Sequence, residues 1–174
     1  MSWQKLSSKT IYDNSWITVF EDRVINPGGG HSDYGVVRIK NTAIAIVALD
    51  EDENTWLVGQ ERYTLGMYSW ELPMGGAPED EDPIVAARRE LKEETGLTAK
   101  RWSQNLRLHT SNSITDEEGI VFVAEDFEEG EPDLDETEDL QIRKLPLSEA
   151  LAMVERGEIT DAISVAALLR VSNR

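Results

Sequence analysis

Residues 75–97 constrain the chain most, because they hold the entry, body and stop of a helix in consecutive positions. Asp82 is a good N-cap: its side-chain oxygen can accept an N–H that the first helical turn leaves without an internal partner. Pro83 fits the first turn, where its missing N–H costs nothing, and Gly96 suits a left-handed C-terminal stop. The spacing predicts a helix from about Pro83 to Thr95. Ile84, Ala87 and Leu91 recur at intervals of three and four, so they share a face that can pack on a core. Upstream, Gly75 and Gly76 read as a loop signal.

Glu90, Glu93 and Glu94 form a stripe beside that apolar face. Carboxylates at i, i+3 and i+4 repel one another, each pair costing roughly 0.2–0.5 kcal/mol on an exposed helix. A hard divalent cation would offset that cost, since Mg²⁺ takes oxygen ligands and bridges carboxylates to substrate phosphates. Arg89, one turn before Glu93, can pair with it and leave Glu90 and Glu94 for a metal. The other reading is a solvated acidic face, which arises easily in a chain with 34 Asp and Glu.

The same stretch follows a longer pattern: Gly75, five residues, Glu81, seven residues, Arg89-Glu90-Leu91, one residue, Glu93-Glu94, one residue, Gly96-Leu97. It resembles the Nudix box at every specified position. Before it, Gln60-Glu61-Arg62-Tyr63 and Trp70-Glu71-Leu72-Pro73-Met74-Gly75-Gly76 resemble the corresponding run in Nudix enzymes that split ADP-ribose and other nucleoside diphosphate sugars. The resemblance covers most of the chain. It implies an α/β fold, an α/β/α sandwich with a mixed central β-sheet and an N-terminal antiparallel β region, the box helix on one side and C-terminal helices on the other.

The resemblance also implies roles. Glu90 and Glu94 would ligate Mg²⁺, with Mn²⁺ as a substitute; Glu93 would stand at the ion or just behind it, with Arg89 orienting it. The backbone carbonyl of Met74 would join the metal site, and Arg62 would contact substrate. Trp16 and Tyr34 match positions near which relatives stack the nucleotide base. The general base is placed differently among subgroups: on a late acidic loop it falls on Glu136 first and Glu138 second, with Glu93 competing. Read as bare residues, Arg62 is also a strand-end charge, Trp16 and Tyr34 are also core aromatics, and the run 135–139 is also a solvated acid stretch.

At 174 residues and 19.6 kDa, the chain is expected to form one domain, residues 1–174, with residues 1–40 as its N-terminal β region. Zero cysteines exclude a disulfide framework and thiolate chemistry, and suit a reducing cytoplasm. No apolar run reaches membrane-spanning length, and the start lacks a secretory pattern. A formal charge of −17 opposes binding to a nucleic-acid backbone, whose affinity rests on Lys and Arg. It also requires local cations for any anionic substrate, and is compatible with a saline host. His31 and His109 are isolated, and no His-Glu-x-x-His, Gly-x-Ser-x-Gly or Gly-Lys-Ser/Thr loop occurs.

In chain order, residues 9–26 read as two short strands around the turn Asp13-Asn14-Ser15, followed by a strand over residues 34–39. Residues 42–49 and 55–60 are apolar runs around the acidic turn Asp50-Glu51-Asp52-Glu53-Asn54, which predicts a hairpin feeding the central sheet. Residues 100–109 and 119–125 read as strands, 125–139 as a long mobile loop, 140–142 as a strand, and 146–155 and 161–171 as amphipathic helices. The expected function is metal-dependent hydrolysis of a nucleoside diphosphate sugar, ADP-ribose or a hexose conjugate, to a nucleoside monophosphate and a sugar phosphate. Nucleoside triphosphate pyrophosphohydrolysis and a non-catalytic nucleotide sensor are the alternatives. Enzymes selective for ADP-ribose typically carry proline where this chain has Asn112. The resemblance further implies a homodimer that exchanges the N-terminal β region.

Overall fold

The computed structural model describes residues 2–133 and 140–173. In order, the first strands are β1 (Gln4–Asp13), β2 (Ile17–Ile25), β3 (His31–Ile39), β4 (Thr42–Ala48), β5 (Asn54–Arg62), β6 (Met67–Glu71) and β7 (Met74–Ala77). Then come α1 (Pro83–Thr95), β8 (Thr98–His109), β9 (Glu118–Glu128), β10 (Gln141–Pro146), α2 (Leu147–Glu155) and α3 (Ala162–Val171). No helix among the described residues is long and apolar enough to cross a membrane.

The helix α1 forms for the local reasons its sequence carries. The Asp82 carboxylate accepts from the Ile84 N–H at 3.1 Å, Pro83 opens the first turn, and Gly96 stops the helix at φ 74° with its N–H donating to Lys92 O at 2.8 Å. Ala86, Ala87 and Leu91 are fully buried on one face.

That face packs on a mixed four-stranded sheet in the order β7-β4-β9-β8, where β4 and β9 run parallel and the other pairs antiparallel. Period-two alternation sorts the two central strands between two cores. Ile44, Ile46, Ala48, Ile120, Phe122 and Ala124 meet α1, whereas Ala45, Val47, Val121 and Val123 meet α2 and α3 through Ala150, Met153, Ala167 and Leu168. The result is the expected α/β/α sandwich. Two smaller antiparallel sheets flank it, β10-β5-β6 and the N-terminal β1-β2-β3.

Three local expectations are corrected. The acidic turn forms, with Asp50 Oδ1 accepting from Asp52 and Asn54 N–H at 3.0 and 2.8 Å, but β4 and β5 are not a hairpin. The strands diverge into different sheets because β6 and β10 take both edges of β5, while β7 and β9 take those of β4. The Gly75-Gly76 loop signal is part of a strand, β7, paired with β4 at Ala43 and Ile44. The acidic stretch from residue 125 begins as strand, β9 running to Glu128.

Candidate active site

One cleft, of about 390 Å³, gathers the box residues at the junction of β5, β7 and α1. Larger hollows of about 450 and 660 Å³ lie around Asp50 and Leu147 and around Arg38 and Asp116, and neither is lined by Arg89, Glu90, Glu93 or Glu94. The chemistry, not the volume, singles out this cleft.

Its acid wall is built by close approach of α1 to β7. Gly75 has no room for a side chain: a Cβ there would lie 2.0 Å from the Glu90 carboxyl carbon, so the glycine is what lets Glu90 rest on the strand backbone. Glu94 is only 3% exposed, and its Oε2 accepts the Met74 N–H at 2.9 Å, a backbone donor that satisfies a buried carboxylate. Met74 thus stands at the start of β7, in the cleft wall beside Glu94.

Arg89 does more than pair with Glu93. Its guanidinium reaches Glu81 at 3.0 Å, Glu90 at 2.7 Å and Glu93 at 3.1 Å, and also donates to Gly76 O at 3.2 Å. The expectation that Glu90 would be left clear of Arg89 is therefore corrected. The five-donor plane spans several carboxylates at once, and the hydrogen bonds that Arg89 donates, to Glu81 foremost and to Glu90 and Glu93, raise the guanidinium pKa above its ordinary value.

Across the cleft, Arg62 at the end of β5 is held by Glu71 of β6. Arg62 Nε donates to Glu71 Oε1 and Oε2 at 2.9 and 3.2 Å, and Nη2 also donates to Oε2. Glu71 is 3% exposed and its hydrogen bond is the main cause that raises the Arg62 pKa, with Asp161 and Glu94 contributing at longer range.

The aromatic candidates separate. Trp16, in the turn between β1 and β2 and 68% exposed, lines the cleft. Tyr34 does not: its ring meets Trp3 edge-on at 5.3 Å, its hydroxyl donates to Ser113 O at 2.6 Å, and it lines a separate pocket with Asn112. Within one chain the structure brings Trp16 to the box and leaves Tyr34 apart. Glu136 and Glu138 lie outside the described residues. The segment leading to them is fixed at its root, where the Asp133 N–H donates to Glu93 O at 2.9 Å, and Asp133 lines the cleft.

Asn41, Gln60, Glu71 and Asp133 also belong to the site, unflagged by the sequence. Gln60 carried a usable signal, since it lies two positions before Arg62 on the same face of a strand. Glu71 carried another, an acid between Trp70 and Leu72. Asn41, in the short link between β3 and β4, carried none.

The donors Glu90, Glu93, Glu94 and the Met74 carbonyl are all hard oxygens, and the Gly75 cradle sets one of them against the strand, so the set fits a hard divalent cation. Among the described residues no three His, Cys, Asp or Glu side chains already converge into a cage for an ion. Arg89 spans two of the three box glutamates here.

Comparison with known proteins agrees with this geometry. The NUDIX domain model matches residues 39–168, and a model of the nucleoside diphosphate sugar hydrolase N-terminal domain matches residues 3–37. An ADP-ribose pyrophosphatase of Mycobacterium tuberculosis is 37% identical over 172 residues, covering 97% of this chain and 83% of that protein. One of Bacillus subtilis is 32% identical over 159 residues, covering 90% and 85%. A solved structure of an ADP compounds hydrolase superposes with a TM-score of 0.89 at 24% identity, over 99% of this chain and 94% of that one, a likeness of fold. A domain model spanning most of the sequence, laid over the box that α1 and β7 assemble, places this chain in the Nudix hydrolase family.

Proposed function

We propose that the chain hydrolyses the diphosphate linkage of nucleoside diphosphate sugars, ADP-ribose or a hexose conjugate, to a nucleoside monophosphate and a sugar phosphate. The observation that carries the reading is one cleft with two poles: Glu90 and Glu94 on one wall, and a guanidinium, Arg62, on the other. Nudix hydrolases generally need a divalent metal ion, and Mg²⁺ is proposed here, with Mn²⁺ as a substitute. When bound, it would neutralise phosphoryl oxygens and lower the pKa of a ligated water.

The chain's own residues do the rest. Glu90, Glu94 and the Met74 carbonyl would hold the ion, with Glu93 beside it and Arg89 holding the glutamates in place. Arg62 would grip a phosphate oxygen and Trp16 would cover the base. Water adds at one phosphorus, the bridging oxygen leaves with the other phosphate, and the proton passes to Glu136, or to Glu138 or Glu93.

The N-terminal sheet supports a homodimer: every residue of β1 is exposed, including Leu6, Ile11 and Tyr12, which a partner sheet would cover. Light scattering at micromolar protein should give twice the chain mass.

The deciding experiment is a panel of ADP-ribose, nucleoside diphosphate hexoses and nucleoside triphosphates with Mg²⁺. Sugar conjugates should yield phosphate only after added phosphomonoesterase. Direct release of pyrophosphate from a triphosphate at a much higher kcat/KM would replace this reading with a nucleotide-pool role, and no turnover on any compound would leave a nucleotide sensor.

A further inference from the structure

Arg62 could have fallen onto the acids around it, since Glu90, Glu93, Glu94 and Asp133 share its cleft in a chain of net charge −17. It is instead taken by Glu71, through Nε and Nη2. A guanidinium has five N–H donors in one plane. Two are spent on Glu71, and the two on Nη1 with the second on Nη2 form a fork on the other edge, of the shape that meets a phosphate bidentately.

Glu71 is itself tied into the site. It ends β6, and the two-residue link Leu72-Pro73 leads to Met74 at the start of β7: the Leu72 N–H donates to Ser164 Oγ at 2.9 Å, Pro73 O accepts from Ile46 N–H at 2.9 Å, and the Met74 N–H donates to Glu94 at 2.9 Å. One end of this short link grips the arginine and the other grips a box glutamate. A buried ion pair adds little stability over a well-packed apolar pair, so orientation is the property that this arrangement delivers.

We infer that Glu71 is a positioning residue for substrate: it withholds Arg62 from the box glutamates and presents the guanidinium's outer edge to a substrate phosphate. The inference rests on the phosphate-bearing substrate proposed above. Without the Glu71 charge, Arg62 is released toward Glu90 and Glu94, where it competes with substrate and metal alike.

The test is a double-variant cycle read by calorimetric binding of ADP in Ca²⁺ buffer, with KM and kcat for ADP-ribose in Mg²⁺ alongside. Glu71→Gln keeps the side-chain shape but removes the charge that holds Arg62, and Arg62→Gln keeps a donor to Glu71, so neither variant opens a cavity and both should melt near the wild type. Glu71→Gln should weaken ADP about tenfold and raise KM more than it lowers kcat, whereas in the Arg62→Gln background it should change ADP affinity less than about twofold. An equal loss in both backgrounds, or a kcat effect with KM unchanged, overturns the inference, because a merely structural role does not act through Arg62. ADP affinity unmoved by Arg62→Gln also overturns it, even if hydrolysis stands. ADP binding that follows the cycle in a protein that cleaves no sugar conjugate would instead retire the proposed reaction and keep Glu71 in its role.

Discussion

The central sheet and the N-terminal sheet are both built of neighbouring strands in one chain, yet they solve opposite problems. Residues 44–48 of β4 and 119–124 of β9 are buried on both faces and alternate between two cores. β1 is exposed along its whole length, and its sheet is stitched to the rest by few bonds, such as the Val37 N–H to Ile114 O at 2.9 Å and the Ile39 N–H to Asp116 Oδ1 at 2.9 Å. The first region is packed on both faces, whereas the second leaves Leu6, Ile11 and Tyr12 at the surface. The acids stand on α1, packed on the central sheet, and Arg62 at the end of β5 in the small sheet beside it, while Trp16 stands in the turn between β1 and β2, which divides the chemistry from the recognition that surrounds it.

The largest effect expected from this division is on turnover. Glu94→Gln preserves shape and the bond from the Met74 N–H but removes a carboxylate charge, so kcat should fall about a hundredfold or more at nearly unchanged melting temperature. Steady-state kinetics beside a thermal melt check this; equal turnover would remove Glu94 from the metal site. Next comes packing. Leu91→Ala, at a fully buried position, should cost about 2–5 kcal/mol of unfolding free energy. Ile11→Ala, at a position 52% exposed, should cost under about 0.5 kcal/mol in dilute protein. Urea titrations at two protein concentrations separate them, and a dilute-protein loss at Ile11 as large as at Leu91 would erase the contrast between the sheets.

A smaller effect tests the end of α1. Gly96 has φ 74°, and a Cβ there would lie 2.2 Å from Gly130 O, so Gly96→Ala meets both backbone strain and a clash and should cost about 1–3 kcal/mol. Denaturant midpoints check it, with Gly157→Ala, also at positive φ but with open space around it, as the comparison for strain alone.

The smallest concerns the turn between β4 and β5. Burial opposes the Asp50 charge, but hydrogen bonds from Lys144 and Asn54 outweigh it and bring its pKa down to about 2 from 3.8. A carboxylate whose pKa is lower folded than unfolded stabilises the fold above the unfolded value and loses that contribution as pH falls through the folded one. Asp50 should therefore contribute on the order of 1 kcal/mol above pH ~4, fading toward pH ~2. Comparing wild-type and Asp50→Asn stability at pH 6 and pH 2.5 should show the gap narrowing.

What the sequence disclosed follows from how far its signals reach. α1 was legible to the residue because its cap, first-turn proline, apolar spacing and glycine stop are all local. The turn at Asp50 was legible for the same reason, but the partners of β4 and β5 were not, since pairing is decided by strands far along the chain. β7 was hidden because glycine usually interrupts strands, and here Gly75 is needed for the approach of Glu90. The box acids were legible as a set, whereas the reach of Arg89 to Glu81 and Glu90 depends on how the loop before α1 folds back. Asp133 and Asn41 enter the cleft only through tertiary packing.

The parallel pairing of β4 with β9 also dictates when the cleft can exist. A chain made from its N-terminus presents Arg62, Glu90 and Glu94 well before residues 119–124, which pair with residues 43–48 and fill one face under α1. Until β9 arrives, the buried face of α1 has half a floor, and its acid stripe is held against a strand without its neighbour. Pairings so distant in sequence are slow to form, so the site belongs to the late events of folding, and a nascent or truncated chain ending before β9 would carry every box residue in sequence without the surface that makes them a site.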